Sequence, residues 1–174
     1  MAQIVVIVGS ASDMEVVRRS GMFEMLREVG ASFEVSVISA HRNPKELADY
    51  CEEALTGGTK VFIGVAGMAA AVPGERLPGI CVRWLRNAWS SAFRCHLRSF
   101  QTRSMHSSQR CGCLKGIPVL VSGIGEAGLV NAAHAACQIV AVGDDAIALQ
   151  LPAYMVTQGT PAQIRLETFT GRRE

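Results

Sequence analysis

The chain has 174 residues, of which 49% are hydrophobic and 18% are charged, and its net charge is +2. This composition excludes wholesale disorder and predicts one compact domain around a single core. No apolar run approaches the 18 or so residues that a membrane-spanning helix needs, so we expect a cytoplasmic protein without a membrane partner. The six cysteines are irregularly spaced, which favours thiols over a disulfide framework.

Hydrophobic periodicity predicts strands and helices in alternation. Continuous β-branched runs indicate strands buried on both faces of a parallel sheet, and apolar residues three or four positions apart indicate amphipathic helices. In chain order, the pattern predicts a strand over 4–8, a helix over 16–26, a strand over 33–39, a helix from 44 to about 55, a strand over 60–65, a strand over 117–122, a turn over 123–125 and a helix over 127–142. This order predicts a three-layer α/β sandwich with a parallel sheet and right-handed crossovers.

Local signals mark several boundaries of these elements. Gly30 is placed to end the first helix, and Asn43 and Pro44 supply an N-cap and a first helical residue for the second, with Glu46 at the third helical position. We expect a single domain over 1–150. The remainder, 151–174, contains two prolines and a polar end, which predicts a C-terminal extension that is exposed or docks a partner.

The charge is unevenly distributed along the chain. Between Glu75 and Glu126 there is no acidic residue, whereas eight of the 17 basic residues lie there. The rest of the chain therefore carries nine basic and 15 acidic residues, a net charge of −6. Both tryptophans and four of the six cysteines also fall in this interval. So sharp a break within one domain requires its own explanation.

Three loops follow predicted strands, and in an open parallel sheet ligands bind beyond the carboxyl ends of the strands. In the first loop, Gly9 permits close backbone approach, Ser10 and Ser12 offer hydroxyls, and Asp13 offers a carboxylate at a helix start. This set suits a phosphate with a ribose beside it. The alternative is that Ser12 or Asp13 only caps the helix.

The second and third loops differ in chemistry. In the second loop, Ser39 and Ala40 lead into His41 and Arg42. Histidine exchanges protons near neutral pH, and the neighbouring arginine can bind phosphate through paired hydrogen bonds. The third loop, over 66–74, consists of small residues that either admit a ligand to the backbone or serve tight helix packing. Neither a dinucleotide fingerprint nor a P-loop is present in it, so no nucleotide cofactor is indicated.

These loops carry a resemblance to a known family. The chain resembles the catalytic subunit of phosphoribosylaminoimidazole carboxylase, a family also called 5-(carboxyamino)imidazole ribonucleotide mutase. The matching motifs are Gly9-Ser10-x-Ser12-Asp13, Ser39-Ala40-His41-Arg42-x-Pro44, Ala66-Gly67-x-Ala69-Ala70-x-x-Pro73-Gly74, Gly116-Ile117-Pro118-Val119 and Ala127-Gly128-x-x-Asn131-Ala132-Ala133. The resemblance covers about 3–75 and 115–150.

The resemblance implies a flavodoxin-like fold, a homo-octamer and a step of de novo purine synthesis that uses neither a metal nor an organic cofactor. It implies that His41 is the acid and base, that Asp13 faces ribose hydroxyls and that Arg42 faces phosphate. The implied reaction moves a carboxylate from an exocyclic nitrogen to ring carbon C4 through CO₂ held in the pocket. The remaining substrate-binding positions that it implies are Ser10, Ser12, Ser39, Ala40, Gly67 and Ala69.

The chain departs from the family pattern in two places. Ala71 stands where many bacterial members have histidine, and Met68 where they have glycine, which leaves open a mutase or a carboxylase of the lyase class that uses free CO₂. Over 75–114 the family's further strand, substrate-covering loop and helix are not legible. If this stretch is as given in the protein, we expect weak or absent activity, or a non-catalytic module that binds nucleotide phosphate.

Three hypotheses address the basic interval. Cys95, His96, His106, Cys111 and Cys113 form a conceivable zinc set, but their spacing matches no standard motif. Arginines between aromatic residues suggest a nucleic-acid arm, although we expect no nucleic-acid partner for such an enzyme. The third hypothesis is that about 76–114 derive from a shifted reading frame, because back-translation of 104–114 one nucleotide early permits Asp-Ala-Leu-Leu-Ala-Thr-Val-Arg-Leu-Pro, which is family-like. Resequencing the coding DNA decides it.

Overall fold

A computed structural model describes residues 2–66, 91–96 and 119–157. Five strands occur in the described ranges: β1 (Ile4–Val8), β2 (Phe33–Val37), β3 (Val61–Ala66), β4 (Ser91–His96) and β5 (Val119–Ile124). The helices there are α1 (Met14–Arg19), α2 (Met22–Glu28), α3 (Pro44–Thr56), α4 (Gly125–Ala141) and α5 (Asp145–Thr157), with a short 3₁₀ turn, Ala11–Asp13, before α1. No helix in these ranges is both long and apolar enough to cross a bilayer.

The strands form one parallel sheet in the order β2-β1-β3-β4-β5. Every residue of β1 is fully buried, as its unbroken β-branched sequence predicts for a strand covered on both faces. The strand order first runs from β1 outward to β2 and then continues on the other side of β1 with β3, β4 and β5. This is the order of flavodoxin-like folds. The predicted parallel α/β architecture is confirmed.

Two separate cores confirm the predicted three layers. On one face, Val6 and Ile63 pack with residues of α1, α2, α4 and α5, including Leu26 and Leu129. On the other face, Val5, Ile7 and Phe62 pack against Leu47 and Cys51 of α3. Side chains that alternate along β1 therefore enter different cores, and each large buried one stabilises the fold by about 1.5–3 kcal/mol.

The predicted helix over 16–26 is in fact two helices. Gly21 has a left-handed φ of 80°, and the hydroxyl of Ser20 donates to the carbonyl of Val17 at 2.7 Å and accepts from the N–H of Met22 at 3.3 Å. The serine side chain thus replaces a helical backbone contact at the break. Gly30, with φ of 78°, ends the second helix as predicted.

The family's further strand, which is not legible in the sequence of the basic interval, is present in the structure. Ser91–His96 forms β4, which pairs in parallel with both β3 and β5. Neighbouring strands on both sides supply hydrogen-bonding partners, and such pairing outweighs weak intrinsic strand propensity. Its ladder with β5 shifts register between Arg94 and Cys95. The rest of 76–114 lies outside the described residues, as do three members of the conceivable zinc set, His106, Cys111 and Cys113.

Helix α5 runs through position 150, where the sequence pattern starts a C-terminal extension. Ile147 is 1% exposed and Leu151 is 6% exposed, and both belong to the larger core. The start of α5 is fixed by Asp144, whose carboxylate accepts from the N–H of Ile147 at 3.2 Å and from the side-chain amide of Gln3 at 2.7 Å. Helix α5 therefore packs on the domain through Leu151, one position past the start of the expected extension.

Candidate active site

The loops after β1, β2 and β3 emerge from one edge of the sheet. Val8 is in register with Val37 of β2 and with Val65 of β3. The ladder continues into the loops, because the N–H of Gly9 donates to the carbonyl of Val65 and the N–H of Ile38 donates to that of Val8, both at 3.0 Å. Adjacent strands lie about 4.8 Å apart, so the first two loops leave the sheet as immediate neighbours.

In the first loop the two serines are bonded to each other. Ser10 caps the 3₁₀ turn, since its hydroxyl oxygen accepts from the N–H of Ser12 at 3.3 Å. The two hydroxyl oxygens lie 2.8 Å apart and share a second hydrogen bond. Asp13 precedes α1, but its side chain makes no capping bond there. Asp13 thus occupies the N-cap position of α1 without a side-chain cap bond, and the side-chain cap in this loop is that of Ser10 on the 3₁₀ turn.

Asp13 is the unusual residue of this loop. It is 8% exposed, and across 2–66, 91–96 and 119–157 no residue forms a hydrogen bond or ion pair with its carboxylate. Its N–H donates to the carbonyl of Ser10 at 3.0 Å. A buried carboxylate without a partner costs about 1–3 kcal/mol or more. The carboxylate is thus an acceptor that a ligand with hydroxyl or amine donors would satisfy.

The second loop is anchored at its start and exposed at its tip. Ser39 accepts twice, its hydroxyl from the N–H of Arg42 at 3.3 Å and its carbonyl from the N–H of Asn43 at 2.8 Å. Ala40 is 5% exposed and packs in the α3 core, so any substrate contact of Ala40 involves its backbone. His41 and Arg42 are exposed. The loop therefore holds an imidazole and a guanidinium toward solvent from a fixed base.

Helix α3 starts directly behind this tip. Asn43 is its N-cap residue and Pro44 its first residue, as the sequence predicts. The cap differs in detail, because the Asn43 amide donates to the carboxylate of Glu46 at 2.6 Å instead of bonding to the helix backbone. The free N–H groups of the first turn lie near the exposed histidine and arginine, and they favour negative charge at this edge.

A further junction that the sequence prediction missed reaches the same edge. The predicted turn over 123–125 is in fact the end of β5 followed at once by α4, which begins at Gly125. Gly123 has φ of 132°, and an added Cβ would lie 3.2 Å from the Cα of Gly128. The sequence signal for this junction is the spacing of Gly123, Gly125 and Gly128, which allows a close turn from strand to helix.

Not every predicted site residue can be placed. The structure brings the first loop, with Ser10, Ser12 and Asp13, beside the second. Gly67 and Ala69 of the third loop lie outside the described residues, although β3, which precedes them, ends at the same edge. In the ranges that the structure covers, no three His, Cys, Asp or Glu side chains are grouped as metal ligands.

The fold and these loops define a flavodoxin-like α/β protein with polar and ionisable groups gathered at the carboxyl edge of its sheet. The family model for AIR carboxylase matches residues 3–77. N5-carboxyaminoimidazole ribonucleotide mutase of Haemophilus influenzae is 36% identical over 157 residues, covering 90% of each chain. The mutase of Bacillus subtilis is 34% identical over 151 residues, covering 84% of this chain and 85% of that protein.

A solved structure supports the same assignment of the fold. The crystal structure of Treponema denticola PurE matches with a TM-score of 0.71 and 20% identity, covering 89% of this chain and 90% of that one. The matches to the curated relatives extend over most of the chain. The chain belongs to the AIR carboxylase family, which confirms the resemblance drawn from its loops.

Proposed function

We propose that this chain is an N5-carboxyaminoimidazole ribonucleotide mutase, an isomerase of purine biosynthesis that acts on a small ribonucleotide. The observation that carries the proposal is the buried Asp13 carboxylate, which has no hydrogen-bonding partner in the described ranges, in a loop next to His41 and Arg42. Sugar hydroxyls are donors of the kind that this carboxylate lacks. Membership of the family supplies the reaction.

Substrate binding follows from the chemistry of the two loops. Asp13 accepts hydrogen bonds from the ribose hydroxyls. Arg42 and the hydroxyls of Ser10, Ser12 and Ser39 bind the phosphate, helped by the N–H groups at the start of α3. Because Ser39 accepts the N–H of Arg42, the proton of its hydroxyl is left to donate to a phosphate oxygen.

His41 moves the protons of the reaction. Its imidazolium protonates the exocyclic nitrogen, the bond from nitrogen to the carboxylate carbon breaks with its electron pair left on nitrogen, and CO₂ is released. Ring carbon C4 then attacks CO₂, and the neutral imidazole removes the proton from C4, which restores both the aromatic ring and the imidazolium. No atom is gained or lost overall. CO₂ is confined beside C4, and this proximity takes the place of chemical activation of CO₂.

Assembly, compartment and CO₂ source are part of the proposal. A homo-octamer is supported by α5, which carries no charged residue from 146 to 157 and exposes 75% of Leu149 and 66% of Val156; an apolar surface of this kind marks an interface. We place the enzyme in the cytoplasm because its phosphorylated substrate does not cross membranes. Free CO₂ as substrate, which would make the enzyme a carboxylase, is the alternative that the assay decides.

The test is turnover of carboxyaminoimidazole ribonucleotide, followed by absorbance with and without bicarbonate, for the wild type and His41→Asn. We expect the variant to lose about 10²-fold or more in kcat and to retain substrate binding in calorimetry. His134→Asn, which changes a histidine of α4 away from the edge, is the matched control. Dependence of turnover on bicarbonate would indicate the carboxylase, and binding without turnover in both proteins would indicate a non-catalytic module.

A further inference from the structure

The first turn of α3 carries a side-chain pair that the proposed chemistry does not use. The amide nitrogen of Asn43 donates to the carboxylate of Glu46 at 2.6 Å, and we call these two residues the Asn43–Glu46 pair. Both residues are exposed, and Glu46 is the third residue of the helix. Neither is among the substrate-binding positions that the family resemblance implies, so the contact requires its own explanation.

The pair differs from an ordinary capping box, and the backbone of the second loop supplies the reason. In a capping box the third helical residue accepts from the backbone N–H of the N-cap residue, whose side chain accepts from a backbone N–H of the first turn. Here the N–H of Asn43 already donates to the carbonyl of Ser39 at 2.8 Å, so the Glu46 carboxylate binds the Asn43 amide instead. The Asn43 side chain consequently makes no cap bond to the helix.

This arrangement leaves hydrogen-bond donors open at the start of the helix. Pro44 has no N–H, and the N–H of Leu47 donates to the carbonyl of Asn43 at 3.0 Å. In the described part of the chain, no residue accepts a hydrogen bond from the N–H of Lys45 or from that of Glu46. An asparagine at the N-cap ordinarily accepts from one of these two groups. The Asn43–Glu46 pair therefore keeps both donors available beside the tip of the second loop.

An independent observation points to a ligand at this edge of the sheet. Asp13 is 8% exposed, and within the described ranges its carboxylate has no hydrogen-bonding or ionic partner. Its loop and the loop that leads into α3 leave the sheet as neighbours, because β1 and β2 pair directly. A ribonucleotide carries hydroxyls and phosphate on the same ribose, so a single ligand can contact both loops.

We infer that Glu46 is a positioning residue for the substrate phosphate: it holds the Asn43 amide, so that asparagine does not cap α3 and the N–H groups of Lys45 and Glu46 stay free for a phosphate oxygen. This inference rests on the proposed function and deepens the phosphate contact assigned there to Arg42. The site uses the acceptor oxygen of Glu46 and not its charge, since a negative charge repels phosphate. Glutamine supplies the same acceptor without the charge.

Replacement of Glu46 tests the inference through substrate binding and stability together. In Glu46→Ala the Asn43 side chain is released and caps the helix, so the KM for carboxyaminoimidazole ribonucleotide should rise about tenfold. The kcat should stay unchanged, as expected when a contact made equally in the ground state and the transition state is lost. The thermal unfolding midpoint should stay the same or rise, because a cap bond is gained; a residue that only stabilised the helix would lower it.

Two matched variants complete this comparison. Glu46→Gln keeps the acceptor for the Asn43 amide, so its KM should equal that of the wild type or fall below it. Glu53→Ala removes an exposed carboxylate further along the same helix, and it should change neither the KM nor the unfolding midpoint.

A double variant separates capping by Asn43 from a general change of the loop. Asn43→Ala combined with Glu46→Ala removes the competing cap together with the pair. Its KM should therefore lie within about threefold of the wild type, although its unfolding midpoint falls below that of Glu46→Ala because the cap is lost.

The measurements keep this inference apart from the proposed function. A wild type that binds the ribonucleotide in calorimetry without turnover would contradict the mutase assignment, and the same comparison of Kd values among the variants would still test Glu46. Equal affinity of the wild type and Glu46→Ala would overturn the inference. So would a Glu46→Gln protein, or a double variant, that binds as weakly as Glu46→Ala.

Discussion

Replacement of Asp13 by asparagine separates the effect of the buried carboxylate on folding stability from its effect on ligand binding. The substitution keeps the shape of the side chain and removes its charge. Asp13 is 8% exposed, and none of the described residues pairs with its carboxylate, so Asp13→Asn breaks no ion pair within the described part of the chain. A neutral amide is cheaper to bury than an ionised carboxylate. We therefore expect the free energy of unfolding to stay unchanged or to rise by up to about 2 kcal/mol.

Ligand binding should change in the opposite direction. A hydrogen bond to a charged group contributes about 1.5–3 kcal/mol, which corresponds to a loss of affinity for the ribonucleotide of about 10- to 100-fold. Urea unfolding measures the first quantity and isothermal calorimetry with the ribonucleotide measures the second. In the control Asp49→Asn, which removes an exposed carboxylate paired with Lys45 on α3, the affinity should stay as in the wild type.

The two measurements together decide whether Asp13 is a ligand residue. An Asp13→Asn protein that is destabilised by more than about 1 kcal/mol and binds the ribonucleotide as tightly as the wild type would refute the assignment. Such a result would show that the carboxylate stabilises the fold through contacts of its own.

Two further predictions concern stability. Burial lowers the pKa of His134, whose ring lies 5.4 Å from that of Tyr154, from its ordinary value of 6.5. At low pH the unfolded chain then binds a proton that the folded chain does not, so the free energy of unfolding should fall as the pH drops below 6.5. Urea titrations at several pH values measure this dependence, which His134→Gln should flatten. Gly123→Ala should destabilise the protein by about 1–3 kcal/mol through its φ of 132° and the 3.2 Å approach to Gly128. Gly30 has a φ of 78° and open space around it, so Gly30→Ala should destabilise the protein by about 1 kcal/mol less than Gly123→Ala. Equal destabilisation of the two variants in thermal unfolding would contradict the role of the close contact at Gly123.

The elements that the sequence predicted well are those whose signal is local. The unbroken run of β1 and the Asn43-Pro44 start of α3 depend on neighbouring residues only, and both are as expected. Helices α1 and α2 were merged because the apolar spacing continues across the break at Gly21. β4 was missed because strands on both sides, distant in sequence, hold it in place.

The candidate site shows the same division between local and distant information. The residue types at the ends of β1 and β2 were enough to identify the two loops. That no described residue pairs with the Asp13 carboxylate was not predictable, because a capping residue and a proposed ligand residue have the same sequence signal until the structure shows that the Asp13 side chain makes no cap bond. Pro152 suggested a tail, yet it lies inside α5; packing of Leu151 in the core offsets the backbone bond that proline lacks.

The position of the two site loops has a consequence for synthesis and inheritance. Both lie within the first 42 residues, after strands that pair with each other, so a ribosome completes these two proposed ligand loops well before β4 emerges. A lesion in the middle of the gene leaves that part encoded intact, provided that the altered stretch still supplies one extended segment between β3 and β5. The two loops that we propose for ribose and phosphate are thereby insulated from damage that falls further along the message.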